Sequence, residues 1–170
     1  MGIYYNCHMK LSAQEEYGLR CLLHMARQGE GASLSIPEIS RAEGLSVPNV
    51  AKLMRLLRMG GFVASVRGQS GGYTLSRNSE QITVGSVLEL LGGRLYGPTF
   101  CDRHSGLQEA CAHNSDCSLR PVWQTLQAMI ENVLNRMTLH DLKRNEKEMM
   151  KVLNDRTNQL LAVTQIRHTA

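Results

Sequence analysis

Two short amphipathic segments meet at Gly44-Leu45-Ser46, and this joint constrains the fold more than any other stretch. Ser35-Ile36-Pro37-Glu38 has the form of a capping box. In such a box the serine side chain and the glutamate three residues on satisfy backbone donors that a helix start leaves unpaired. Proline is tolerated there because the N–H it lacks would have no intrahelical partner. The helix continues through Ile39 and Ala42 and closes at Gly44. Ser46 then caps a second helix, Val47 to Met59, with Val50, Leu53, Met54 and Leu57 at helical spacing. Its open positions are Asn49, Lys52, Arg55 and Arg58, and Gly60-Gly61 ends it. Two helices so joined predict a helix-turn-helix unit with Val47–Met59 as its recognition helix.

The flanks strengthen that expectation. Phe62-Val63-Ala64-Ser65-Val66 alternates like a strand, and Tyr73-Thr74-Leu75-Ser76 supplies a second. Between them Arg67-Gly68-Gln69-Ser70-Gly71-Gly72 is a glycine-rich turn with a cation at its base, the pattern of a β-hairpin wing. Glycines let backbone approach phosphates closely, and an arginine can enter a narrow minor groove. Upstream, Ser12-Ala13-Gln14-Glu15 is another capping box, opening a helix through Tyr17, Leu19, Leu22, Leu23 and Ala26 that stops at Gly29 and Gly31. Cys21 within it reads as a small core residue. Downstream, Ile82-Thr83-Val84 leads into a helix with Val87, Leu88, Leu90 and Leu91, stopped by Gly92-Gly93.

Charge supports a nucleic-acid partner. The chain carries a formal net charge of +4, unevenly placed. Lys10 to Arg77 holds nine basic and five acidic residues, whereas ten of each follow. Between Leu45 and Ser79 there are five basic residues (Lys52, Arg55, Arg58, Arg67, Arg77) and no acid. An acid-free basic stretch on a helix-turn-helix predicts a phosphate-facing surface. The residues expected to read or grip double-stranded DNA are Pro48, Asn49, Lys52 and Arg55 on the helix, and Arg67, Gly68, Gln69, Ser70, Gly71 and Tyr73 on the wing.

A different chemistry begins at residue 101. Cys101, Cys111 and Cys117, three of five cysteines, are spaced C-x9-C-x5-C, with His104 and His113 between them. No stretch of about eighteen apolar residues exists to span a membrane. MGIYYNCH lacks the layout of a secretory signal and reads as a tag or N-terminal extension. The expectation is a cytoplasmic protein, where clustered thiols hold metals or sense oxidants. Zinc could be completed as Cys3His by His104 or His113, although structural zinc sites pair cysteines more closely. Iron–sulfur clusters accept loose loop spacing and a non-cysteine fourth ligand. After the cysteines, Leu119, Val122, Leu126, Met129 and Val133 recur every three or four residues, and Trp123, Ile130, Leu134 and Met137 widen the seam. So broad an apolar arc can serve both its own domain and a partner. From Leu142 onward a polar, marginally amphipathic helix frays toward Ala170.

Several motifs resemble one family. Met9-Lys10-Leu11-Ser12, Glu16-Tyr17-Gly18-Leu19-Arg20, Pro37-Glu38-Ile39, Val50-Ala51-Lys52-Leu53, Ser65-Val66-Arg67-Gly68 and Gly71-Gly72-Tyr73-Thr74-Leu75 are similar to the Rrf-type (IscR/NsrR-like) winged helix-turn-helix iron–sulfur transcriptional regulators. The resemblance runs from about Met9 to Leu142. It implies a homodimer that binds a pseudo-palindromic operator, with the three cysteines ligating a [2Fe-2S] or [4Fe-4S] cluster. Two departures stand out. The first cysteine gap is wide, and where cluster-binding members carry a histidine three residues after the last cysteine this chain has Arg120. Other members take a carboxylate from the first helix, which maps to Glu16. Glu15 belongs to the capping box and is already engaged. His104, His113 and Glu43 are the remaining fourth-ligand candidates.

The expected fold is mainly α. It has an extension (1–8), a winged helix-turn-helix domain (9–91), a cysteine-bearing cluster loop (92–118), a long dimerisation helix (119–141) and a polar helical tail (142–170). The expected function is a homodimeric repressor-type regulator sensing nitric oxide, oxygen, redox state or iron supply. Its rivals are an iron–sulfur electron carrier or cluster-transfer protein, and a zinc- or thiol-based regulator without a cluster. No paired carboxylates or nucleophile–base motif points to an enzyme.

Overall fold

The computed structural model describes residues 11–68 and 71–166, with side chains as far as residue 156. The expectations placed on residues 1–10 (Cys7 and Met9-Lys10 included), on Gln69 and Ser70, and on the last four residues lie outside the described residues.

Among the described residues seven α-helices and one hairpin follow in order: α1 Ala13–Arg27, α2 Ile36–Glu43, α3 Val47–Met59, β1 Val63–Val66, β2 Gly72–Leu75, α4 Val84–Leu91, α5 Phe100–Arg103, α6 Leu119–Leu134 and α7 Glu146–Ile166. Both predicted capping boxes are formed, at Ser12/Glu15 and Ser35/Glu38. Gly44 closes α2 in the left-handed region at φ 65°. Ser46 stands at the N-cap of α3, but its side chain makes no capping hydrogen bond. Asn49 stands at the third helical position, where α2 has Glu38 reaching back to close its box, so the reciprocal bond of a capping box has no carboxylate to form it.

The chain is a winged helix-turn-helix protein, mainly helical with one small sheet. Strands β1 and β2 pair antiparallel with Val63 opposite Leu75 and Val66 opposite Gly72. Leu34 adds a bridge on the far side of β2, its N–H donating to the Tyr73 carbonyl (2.9 Å) and its carbonyl accepting from the Tyr73 N–H (2.8 Å). Gly72 permits this approach, because a Cβ there would lie 2.5 Å from the Leu34 oxygen. The expected half-buried alternation of the first strand is absent. Phe62 and Val63 are both buried, and Ala64, Ser65 and Val66 are exposed. The hairpin is rooted at its first two residues and then leaves the body.

Cys21, Leu22, Met25, Ile39, Val50, Leu53, Met54, Leu57, Ile82, Val87 and Leu91 form one buried core beneath that hairpin. The helix expected over 119–141 ends at Leu134. Met137 does not widen the outer seam of α6 but is buried, and Leu139 joins the domain core. The reason is an extended return. The Met137 carbonyl accepts from the Val84 N–H (2.8 Å), the Leu139 N–H donates to the Ile82 carbonyl (2.8 Å), and Thr83 bridges Thr138. Beyond it, buried Asp141 accepts from the Thr138 N–H (3.1 Å), Arg144 and Arg156, so α7 is tied back to the domain.

Candidate nucleic-acid interface and thiol loop

Helix α3 divides cleanly. Val50, Leu53, Met54 and Leu57 are buried in the core, which turns Pro48, Lys52, Arg55 and Arg58 outward and leaves Asn49 half-buried. Arg67 is exposed at the base of the wing turn. Gly68 has φ 139°, and its carbonyl accepts from the Gly71 N–H (3.0 Å), closing the turn. Among the described residues no carboxylate pairs with Lys52, Arg55, Arg58 or Arg67. Their charge is therefore available to phosphates. Arg77 differs, lying over the Phe62 ring at 5.1 Å. Tyr73 also departs from the expected tip contact. Its backbone pairs with Leu34 and its side chain packs on the core, so it anchors the wing.

Cys101 lies on α5, and Cys101, Cys111 and Cys117 are half-buried free thiols. The Tyr96 hydroxyl approaches the Cys101 sulfur at 3.8 Å. Tyr96 is raised above the ordinary phenol range, first by that hydrogen bond, then by burial and the Cys101 charge. The Cys117 sulfur adds to the rise and Arg120 opposes it. Arg120 donates to the Asn114 carbonyl (2.8 Å), while the Asn114 N–H donates to the Cys111 carbonyl (3.0 Å) and the Arg120 N–H to that of Cys117 (3.2 Å). The residue that replaces the expected histidine thus braces the Cys111–Cys117 turn.

The other metal candidates are dispersed. His104 sits 2.7 Å from the Phe100 carbonyl through Nδ1 and stacks on the Phe100 ring at 4.2 Å, while His113 is exposed. Glu43 is held by Arg20 (2.9 Å) with His24 at 3.7 Å. Glu15 accepts from the Ser12 N–H (2.7 Å), whereas the Glu16 carboxylate on the same turn is exposed and its charge acts on Arg20. Among the described residues no three His, Cys, Asp or Glu side chains of one chain stand together as a metal site. Cys21 is fully buried and its thiol is pushed up to about 12 by burial and then by Glu43, which leaves it unreactive.

Helix α6 leaves this loop with none of its residues buried. Leu119, Val122, Trp123, Leu126 and Met129 are exposed, Leu119 to 57% and Met129 to 59%. Between α4 and α6 runs a groove of about 650 Å³ lined by Leu88, Leu95, Met129, Ile130 and Leu134. No sequence motif marks Tyr96, Gln127, Glu131 and Arg94, which link loop, α6 and α4. The Tyr96 N–H donates to Gln127 Oε1 (3.0 Å), Gln127 Nε2 donates to Glu131 Oε1 (2.9 Å), and Arg94 Nε lies 3.1 Å from both Glu131 and Glu89. The one available signal was the broken rhythm of glycines before Pro98, which reads as a linker.

A winged helix-turn-helix with an unpaired cationic face defines a DNA-binding protein of the transcription-regulator class. Residues 11–145 match the Rrf2 family, described as an iron-dependent transcriptional regulator, and the chain belongs to that family. Protein rrf2 of Nitratidesulfovibrio vulgaris is 35% identical over 137 residues, 81% of this chain and 89% of that relative. Among solved structures, T. potens IscR is 31% identical with a TM-score of 0.62 and covers 79% of this chain and 85% of its own. CymR, the global cysteine regulator of B. subtilis, is 26% identical with a TM-score of 0.64 over 80% and 97%. The chain is a transcriptional regulator, not an enzyme. No described helix is long and apolar enough to cross a membrane.

Proposed function

We propose that this regulator works as a homodimer on a pseudo-palindromic operator, and that an iron–sulfur cluster held by Cys101, Cys111 and Cys117 controls its grip on DNA. One observation carries the reading. Three free, half-buried thiols precede a helix with no buried residue, so sulfur ligands and an uncovered apolar face are adjacent. The donor set fits, since soft thiolates on a flexible spacing suit a cluster better than a closed zinc site. A bound cluster would supply a centre whose charge and integrity change with oxidants, nitric oxide or iron supply.

The chain's own residues do the rest. Lys52, Arg55 and Arg67 neutralise phosphates, and Pro48 and Asn49 at the N-terminal end of α3 face base edges. A second copy's α6 covers the exposed face of α6 and the groove beside α4. Glu16, exposed on the first turn of α1, is the fourth ligand offered from that helix, across the dimer. That bond would join the helix supporting α3 to the loop that feeds the dimer helix.

Anaerobic purification followed by visible absorption and by iron, sulfide and zinc analysis tests the proposal. Brown protein with iron and sulfide that is lost in Cys101→Ala, Cys111→Ala and Cys117→Ala supports it, and the iron-to-chain ratio gives the nuclearity. Colourless, iron-free protein whose operator binding still changes on peroxide treatment would favour a thiol-based regulator instead. That second reading is prompted by three free thiols falling within one loop and by the likeness to a cysteine regulator.

A further inference from the structure

Tyr96 is attached at both ends. Its hydroxyl meets Cys101, and its backbone N–H is held by Gln127 on α6. The ring has little freedom between them, resting on Phe100 at 4.9 Å, which itself stacks on His104. From Gln127 the contacts continue through Glu131 to Arg94, which also holds Glu89 at the end of α4. A continuous series of hydrogen bonds and ion pairs thus connects one cysteine sulfur to a core helix of the winged domain.

We propose that Tyr96 is the positioning residue of the thiol loop: its hydroxyl donates to the Cys101 sulfur, and through Gln127, Glu131 and Arg94 it registers the loop against the winged-helix domain. The inference rests on the cluster reading above. A hydrogen bond donated to a ligating sulfur favours the more negative, reduced state, because it offsets charge on the sulfur. The Gln127 tether makes the loop's position depend on α6 rather than on the glycine-rich lead-in. Coupling between sites requires such a physically shared element that both can bias. Outer partners of this kind change a metal site without ligating it.

Two substitutions separate the two attachments. Tyr96→Phe removes only the hydroxyl, and Gln127→Met removes the tether with little change of volume. With iron and sulfide measured in every preparation, Tyr96→Phe should keep cluster content and shift the reduction potential to a lower value in an anaerobic redox titration. Gln127→Met should leave the potential unchanged. It should shrink the ratio of operator affinities between cluster-loaded and cluster-free protein by about fivefold, the effect of losing one hydrogen bond. In cluster-free Gln127→Met, amide exchange at Tyr96 should accelerate, which shows the tether cut independently of any cluster. An unchanged potential in Tyr96→Phe overturns the donor role. An unchanged affinity ratio in Gln127→Met, with accelerated exchange at Tyr96, overturns the tether. Wild-type protein free of iron and sulfide would overturn the cluster reading and this inference together.

Discussion

The winged domain and helix α6 solve the same problem in opposite ways. In the winged domain each helix buries its apolar stripe inside the chain, so that Leu22, Ile39, Val50, Met54 and Leu57 are completely inaccessible. Helix α6 is twice the length of α4 and carries as regular a stripe, yet none of its residues is buried. Burial rather than intrinsic propensity supplies most helix stability in proteins. A helix exposed along its apolar side is therefore incomplete alone, and the dimer proposed above would supply the cover. The contrast separates a domain that completes its own core from a helix that leaves its apolar face uncovered.

The largest expected effect tests the self-sufficient side. Leu57→Ala should cost about 2–5 kcal/mol in denaturant unfolding, by lost burial and the cavity left behind. Met129→Glu on α6 should instead leave far-ultraviolet circular dichroism unchanged and abolish the dimer in sedimentation. Unfolding of Met129→Glu to the same degree as Leu57→Ala would erase the contrast.

Asp141 probes the seam that ties the segment after α6, and α7 beyond it, to the winged domain. Burial alone would raise its carboxyl, but the Thr138 N–H, Arg144 and Arg156 outweigh it and lower it from 3.8 to about 2. A folded value below the unfolded one stabilises the fold above the unfolded value, and this stabilisation is lost as pH falls through the folded value. The linkage amounts to about 2 kcal/mol, at about 1.4 kcal/mol per unit. Acid unfolding should accordingly remove it between pH 3.8 and about 2 in wild type. Asp141→Asn should be less stable at neutral pH by a similar amount and lack that slope. Equal acid profiles in the two proteins would show that the seam contributes nothing.

Smaller effects belong to the cationic face. Lys52→Ala and Arg67→Ala should each weaken operator binding and reduce the steepness of the log–log salt dependence by about 0.9 per lost phosphate contact. Unchanged affinity and slope in both would remove α3 and the wing from the interface. The smallest effect on stability is expected at Glu16. Glu16→Ala, an exposed change, should alter unfolding by less than about 0.5 kcal/mol. It should nevertheless abolish the difference in operator affinity between intact and oxidised or nitrosylated protein. An affinity ratio equal to wild type would return Glu16 to a carboxylate that merely favours a helix start.

The sequence by itself determined the helices of the winged domain, because their starts and stops are written within four or five residues. Ser12 with Glu15, Ser35 with Glu38, and Gly44 in its left-handed conformation each act on the adjacent turn, and the structure places α1, α2 and α3 where those signals put them. The outward set Lys52, Arg55 and Arg58 was legible for the same local reason, being the complement of an apolar period. Tertiary structure decided what depends on distant partners. After Leu134 the chain returns to pair Thr138 with Thr83, and helical spacing of Met137 could not reveal it because the acceptor lies on another element. Tyr96 reads as part of a linker until Gln127, 31 residues away, holds its N–H. The three cysteines were visible as a group in the sequence, but their spacing does not say where the sulfurs point. That depends on α5, on Arg120 bracing the turn and on whatever covers α6. Ligation geometry is a property of elements brought together by packing, whereas a helix cap is a property of neighbours in the chain.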